Sequence, residues 1–227
     1  MSNPALDPSV SRTINRDALS IGIATGTYAL SFGALATVAG FSIWQTQVLS
    51  LLLFSGASQF AFVSVLASGG SLPAAISTSA LLGLRNGLYG IRIVQLLQPK
   101  FWQRFGYAHL TIDESTAMAN KFDQSYLSAK RAFLATGISV FVFWNFATFL
   151  GALLTQQISS PEVFGLDAAI GAGFLALVAP RLKSIMDKTV AATGVAIALL
   201  LTPILPAGIP ILLSATAAVV AAARNIK

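Results

Sequence analysis

The chain has 227 residues, 55% of them hydrophobic and only 10% charged, with a formal net charge of +6 and a mean hydropathy of +0.75. A soluble domain carries about 25% charged residues, so a chain this apolar could not cover its own surface in water. It reads instead as an integral membrane protein. The absence of cysteine excludes disulfides, thiolate metal sites and a cysteine nucleophile. The apolar runs are long and lack the two-residue alternation of barrel strands, which leaves helices as the way across a bilayer. The expected fold is all-α: a polytopic integral membrane helical bundle of about six spans, plus a re-entrant or broken helix near residues 44–67.

In chain order, residues 1–18 lack the basic-then-apolar order of a cleaved signal peptide and are expected to form a short, partly disordered cytoplasmic tail. Residues 19–227 form a single membrane domain. Its first span is expected over Leu19–Ala39, where Gly22 and Gly26 form a Gly-x-x-x-Gly pair that permits close helix packing. The second apolar run, Trp44–Ala67, is interrupted by Ser55, Gly56, Ser58 and Gln59. The turn "SGGSLP" then leads into a third run, Pro73–Leu97, and a more polar stretch reaches Lys130. Further runs cover Arg131–Thr155, Leu166–Ala179, Thr189–Leu201 and Ile209–Ala223, the last two short for a bilayer core of about 30 Å. No internal repeat is visible, although inverted repeats can lack visible sequence similarity.

Basic residues fix the expected orientation. They cluster around Arg12 and Arg16, between Lys100 and Arg131, between Arg181 and Lys188, and at Arg224 and Lys227. This clustering between apolar runs explains the charge by topology, not by nucleic acid. With every cluster cytoplasmic, the run Trp44–Ala67 should not cross but fold back at "SGASQ", with both termini inside; the alternative, seven spans, keeps that run straight and puts one basic cluster outside. Irregular backbone at such depth is tolerated where it lines a cavity.

Arg85 lies near the centre of its run. An arginine at a span centre costs about 2.5–3.5 kcal/mol on insertion scales, so it should face the bundle interior and meet an anion. At about 100° per residue, Thr78, Arg85, Tyr89 and Arg92 share one polar stripe; Arg92, near the cytoplasmic end, is expected to snorkel. Asp113 and Glu114 are the strongest anionic candidates, with Glu162 and Asp167 poorer ones. Pairing with Arg85 would require the 113–114 segment to dip into the bundle. The alternative is a solvated amphipathic helix closed by a Thr111/Glu114 capping box, with His109 on the same face as Asp113. Asn86 is expected to face a neighbouring helix and donate to its backbone. Asn145 reads best as a helix–helix hydrogen bond. One histidine cannot make a metal cluster, and no nucleotide-binding motif or serine–histidine arrangement is evident beyond His109. No catalytic residue, metal or cofactor is therefore expected.

The segments Ser31–Gly70, "GLRNGLYG" (Gly83–Gly90), "TIDESTAMA" (Thr111–Ala119) and the tryptophan-containing run before "GALL" resemble the AzlC family, the large subunits of two-component branched-chain amino acid exporters. They cover most of the chain in the family's order. Two positions depart: Asn86 stands where the family usually has histidine, and Gly83–Leu84 stand where it usually has Asn-Leu. The resemblance implies a multi-pass protein of the bacterial cytoplasmic membrane that exports valine, leucine, isoleucine or methionine with a small AzlD-type membrane subunit. The expected substrate-binding or coupling residues are Arg85, Asn86, Tyr89, Asp113, Glu114, Ser55, Gly56, Ser58, Gln59 and Asn145. A channel for a small solute or ion, or a non-transporting scaffold, are the alternatives.

Overall fold

The computed structural model describes residues 6–157, 179, 182–206 and 209–225, and among these it is helical without strands. α1 spans Pro8–Val38, α2 Ile43–Leu52, α3 Gly56–Ala67, α4 Leu72–Leu97, α5 Gln103–Leu110, α6 Asp113–Lys121 and α7 Tyr126–Gln156. After the undescribed stretch follow α8 (Ile185–Leu201), α9 (Ile209–Ser214) and α10 (Thr216–Asn225). α1 and α7 are long and apolar enough to cross a membrane. The expected run Leu166–Ala179 lies outside the described residues except for Ala179, and so do Asp167 and the nearby Glu162.

The expected N-terminal tail is helical from Pro8. The Asp7 carboxylate accepts from the Ser9 N–H and Pro8 opens the first turn, where its missing N–H costs nothing. Ile14 is then buried against Met118 and Ala132, and Ala18, four residues further on, is buried as well. The polar residues that suggested a tail lie on the helix's other faces.

α1 and α7 form the spine. They run in the same direction: Ile14 packs with Ala132, Gly22 lies on Ser139 and Phe143, and Gly33 on Thr148 and Ala152. A methyl added at Gly33 or Gly151 would strike the main chain of the opposite helix, so these glycines set the approach of the two backbones. The C-terminal part of α4, Ile93 and Leu97, clusters with Ala129 and Phe133 at the start of α7, so α4 runs the opposite way.

These directions dictate what lies between. α1 ends and α4 begins at one end of the spine, so α2 and α3 enter and leave from that end. α4 ends and α7 begins at the other, basic end, so α5 and α6 form a second fold-back from the opposite side. Three contacts support the second course. Arg85 meets Asp113 and, seven residues further along both helices, Arg92 meets Asn120, so α4 and α6 run in the same direction. Lys121 at the end of α6 then bonds Asp17 near the start of α1 at 2.8 Å. The chain is thus a broken pair followed by a long helix, twice over, with opposite orientation. At the C-terminal side α8 packs on α9 and α10, and α9 touches α4.

Candidate functional site

The two breaks meet. The first, Leu53–Ser55, leaves carbonyl groups at the end of α2 without helical partners. Gln59, fully buried, reaches back from α3 and donates its amide N–H groups to the Leu53 carbonyl at 2.6 Å and the Ser50 carbonyl at 3.3 Å. The Trp144 indole N–H donates to Gln59 Oε1 at 2.9 Å. Trp144 also lies flat against Gly56: an added Cβ there would stand 2.7 Å from the ring. Gly56 thus serves close approach, since its backbone is not in the left-handed region. The break falls just before "GASQ", which is the first turn of α3 and not a bend.

The second break, Thr111–Ile112, is closed by Ser115. Its hydroxyl accepts from the Ile112 N–H at 3.1 Å and lies 2.6 Å from the Leu110 carbonyl. Thr111 donates back to the Tyr107 carbonyl at 2.7 Å. The expected Thr111/Glu114 capping box is therefore replaced by Ser115, because the Thr111 hydroxyl is committed to α5. The break also takes His109 and Asp113 off a common helical face. Phe54 at the first tip stacks on His109 beside the second, ring centres 5.7 Å apart.

Arg85 Nη1 lies 3.0 Å from Asp113 Oδ2, with the two side chains 30% and 18% exposed. The anion that a central arginine requires therefore comes from the first turn of α6. Ser115, Thr116, Met118 and Ala119 are buried, so this segment packs into the bundle. Arg85 Nε is buried without a hydrogen-bond partner among the described residues. Glu114 and Tyr89 are half-buried beside the pair. Arg92 does not extend freely as expected but bonds Asn120 at 3.0 Å and Asp123 at 3.2 Å, because α6 and the turn after it come within its reach.

A cavity of about 420 Å³ opens where the two tips face α4, within the range of about 300–1,000 Å³ usual for small-molecule sites. Its polar wall is Ser55, Ser58, Ser79, Asn86, His109 and Thr111; its apolar wall includes Leu49, Leu52, Leu53, Phe54, Phe62 and Ile76. Of the expected site residues, Ser55, Ser58 and Asn86 line this cavity. Arg85, Tyr89, Asp113 and Glu114 stand outside the lining, and Gly56, Gln59 and Asn145 support it from behind. Asn86 differs from expectation. It turns to the cavity instead of a neighbouring backbone, and its Oδ1 is buried without a hydrogen-bond partner among the described residues. Asn145 makes interhelical and local bonds, accepting from Gln47 at 3.4 Å and donating to the Phe141 carbonyl at 2.8 Å.

Sequence reading passed over Ser79 and did not place His109 in the site. A signal for the first exists: Ile76, Ser79, Gly83 and Asn86 recur at three- and four-residue spacing and share one face of α4.

Long apolar helices around broken ones, with a charged pair held inside, define a helical membrane protein. Residues 20–158 match the family described as AzlC protein, and the chain belongs to that family. An uncharacterized membrane protein of Archaeoglobus fulgidus is 32% identical over 177 residues, covering 75% of each chain. The inner membrane protein YgaZ of Escherichia coli is 31% identical over 144 residues, 60% of this chain and 58% of its own. An uncharacterized membrane protein of Helicobacter pylori is 24% identical over 170 residues, 74% of each. No solved structure matches.

Proposed function

We propose that this protein is a secondary transporter that exports hydrophobic amino acids of the valine, leucine, isoleucine and methionine class across the bacterial cytoplasmic membrane, with a small AzlD-type subunit. About six spans cross the membrane, both termini are cytoplasmic, and the two fold-backs enter from opposite faces without crossing. The observation that carries this reading is Asn86 Oδ1: a buried acceptor with no donor among the described residues, on the wall of a cavity whose apolar lining includes leucine and phenylalanine. An unmet acceptor there costs about 1–3 kcal/mol until a ligand N–H meets it. An α-ammonium group supplies that donor.

The substrate carboxylate goes to the start of α3. Ser55 caps that helix without a side-chain hydrogen bond, so its first N–H groups remain available at the positive end of the helix dipole. The apolar side chain lies along Leu52, Leu53, Phe62 and Ile76. The Arg85–Asp113 pair fixes α4 against α6 at this level and so presents Asn86, the next residue round the helix.

Counterflow of labelled leucine in proteoliposomes, with and without the small subunit, tests the reading. A carrier shows saturable exchange; a channel shows flux that does not saturate; a scaffold shows neither. Single cysteines replacing Arg104 and Lys183 in this cysteine-free chain test the topology, and strong labelling from outside at either would overturn it.

A further inference from the structure

We propose that His109 is the proton-carrying group of this cavity, and that a proton and the substrate's ammonium group exclude one another there. This inference rests on the reading of the cavity as an amino acid site. His109 is the single histidine of the chain, and it is the one residue lining the cavity whose side chain can take up and release a proton. Its ring sits at the second tip between Phe54 and Phe141, with centroids 5.7 and 5.5 Å away. It faces the same space as Asn86.

The surrounding charges leave this role to it. On α4 the nearest charge is Arg85, which pairs with Asp113 of α6 at 3.0 Å; Glu114 follows Asp113. Arg92, further along α4, is held by Asp123 at 3.2 Å. α2 and α3 carry no charged residue, α7 carries only Lys130 and Arg131 in its first two turns, and α5 carries Arg104 near its start. The imidazole is thus the group whose charge changes in contact with a ligand.

The neutral imidazole nitrogen offers a lone pair to an ammonium N–H; the imidazolium offers only N–H donors and a positive charge, so it repels the ammonium. When an amino acid enters from the cytoplasm, the imidazolium gives its proton to cytoplasmic water and its freed lone pair accepts from the ammonium. When the amino acid leaves on the other side, the nitrogen takes a proton from water there. One proton then moves inward for each amino acid that moves outward. No covalent bond other than N–H forms or breaks.

The test uses the full chain in lipid nanodiscs, alone and with the co-expressed small subunit, and L-leucine as the probe. If the proton and the ammonium group compete, leucine affinity should fall as the pH is lowered from 7.5 to 5.5. His109→Gln should bind leucine with an affinity that is flat over this range. The wild-type protein gives one imidazole signal by NMR, and saturating leucine should lower its apparent pKa, whether or not the variant folds. An imidazole titration that leucine leaves unmoved, or a His109→Gln protein with the wild-type pH slope, would overturn the proposal while leaving the amino acid site standing. If leucine binds at no pH, the site reading falls and this inference falls with it.

Discussion

The two fold-backs, α2–α3 and α5–α6, solve one problem in two ways. Each breaks a helix at depth and must satisfy carbonyl groups that the break exposes. In each a side chain from the following helix reaches back, Gln59 in the first and Ser115 in the second. The first is neutral and locked: Gln59 is anchored by Trp144, and Ser58, Phe60 and Val63 are fully buried. The second is charged and held at its edges, by Arg85–Asp113 at the tip and Lys121–Asp17 at the base. On α5 only Tyr107 is buried. Elements with few buried side chains open at the lowest cost. α5 is therefore expected to open at lower cost than α3.

Substitutions at four positions test this contrast. The largest effect is expected at Gln59→Leu, which orphans the Leu53 carbonyl and the Trp144 indole N–H together. At about 1–3 kcal/mol per buried unsatisfied group, the loss should be several kcal/mol, read as a fall in the unfolding midpoint in detergent. Wild-type stability in this variant would show that the first break is not held by its polar clamp.

Arg85→Ala comes second. Removing one partner of a buried pair costs about 3–5 kcal/mol, and the partial exposure of both side chains reduces this to about 2 kcal/mol. Transport should be lost as well. Arg85→Lys keeps the charge but not the planar fork, so it should stay folded, by the same unfolding measurement, while leucine counterflow drops. Full activity of Arg85→Ala would remove the pair from the mechanism.

Ser115→Ala should cost about 1 kcal/mol, the worth of a side-chain bond to the backbone at a helix start. It should raise amide hydrogen exchange in residues 103–121 and leave α2–α3 protected. Equal loss of protection in both fold-backs would erase the distinction between them. The smallest effect concerns Asp17. The Lys121 ammonium, by hydrogen bond, holds its carboxyl below the ordinary value of 3.8. That contact contributes stability above the ordinary carboxylate range and loses it as pH falls through the lowered value. Asp17→Asn should flatten the acid side of the stability profile, with little change at pH 7.

Composition alone established a helical membrane protein, because no arrangement of this many apolar residues is stable in water. The position of Arg85 demanded an anion, and the run Trp44–Ala67 announced its break through Ser55, Gly56, Ser58 and Gln59. Those inferences rest on local physics: solvation cost, and polar residues in an apolar run. The family was also legible, from the order of its motifs. The partner of each polar group was not. Asn86 and Arg85 are neighbours, yet one faces a cavity and the other an aspartate, because a helix turns them about 100° apart. Gln59 reads as a path-lining residue, but in the structure both its amide N–H groups go to carbonyls of the first break and its oxygen accepts from Trp144. The second fold-back is polar enough to pass for a surface loop. Only the common direction of α4 and α6, set by contacts 28 residues apart in sequence, brings it inside. Hydrogen bonding is directional and short-ranged, so which acceptor is left unmet in the cavity depended on where every helix axis came to rest.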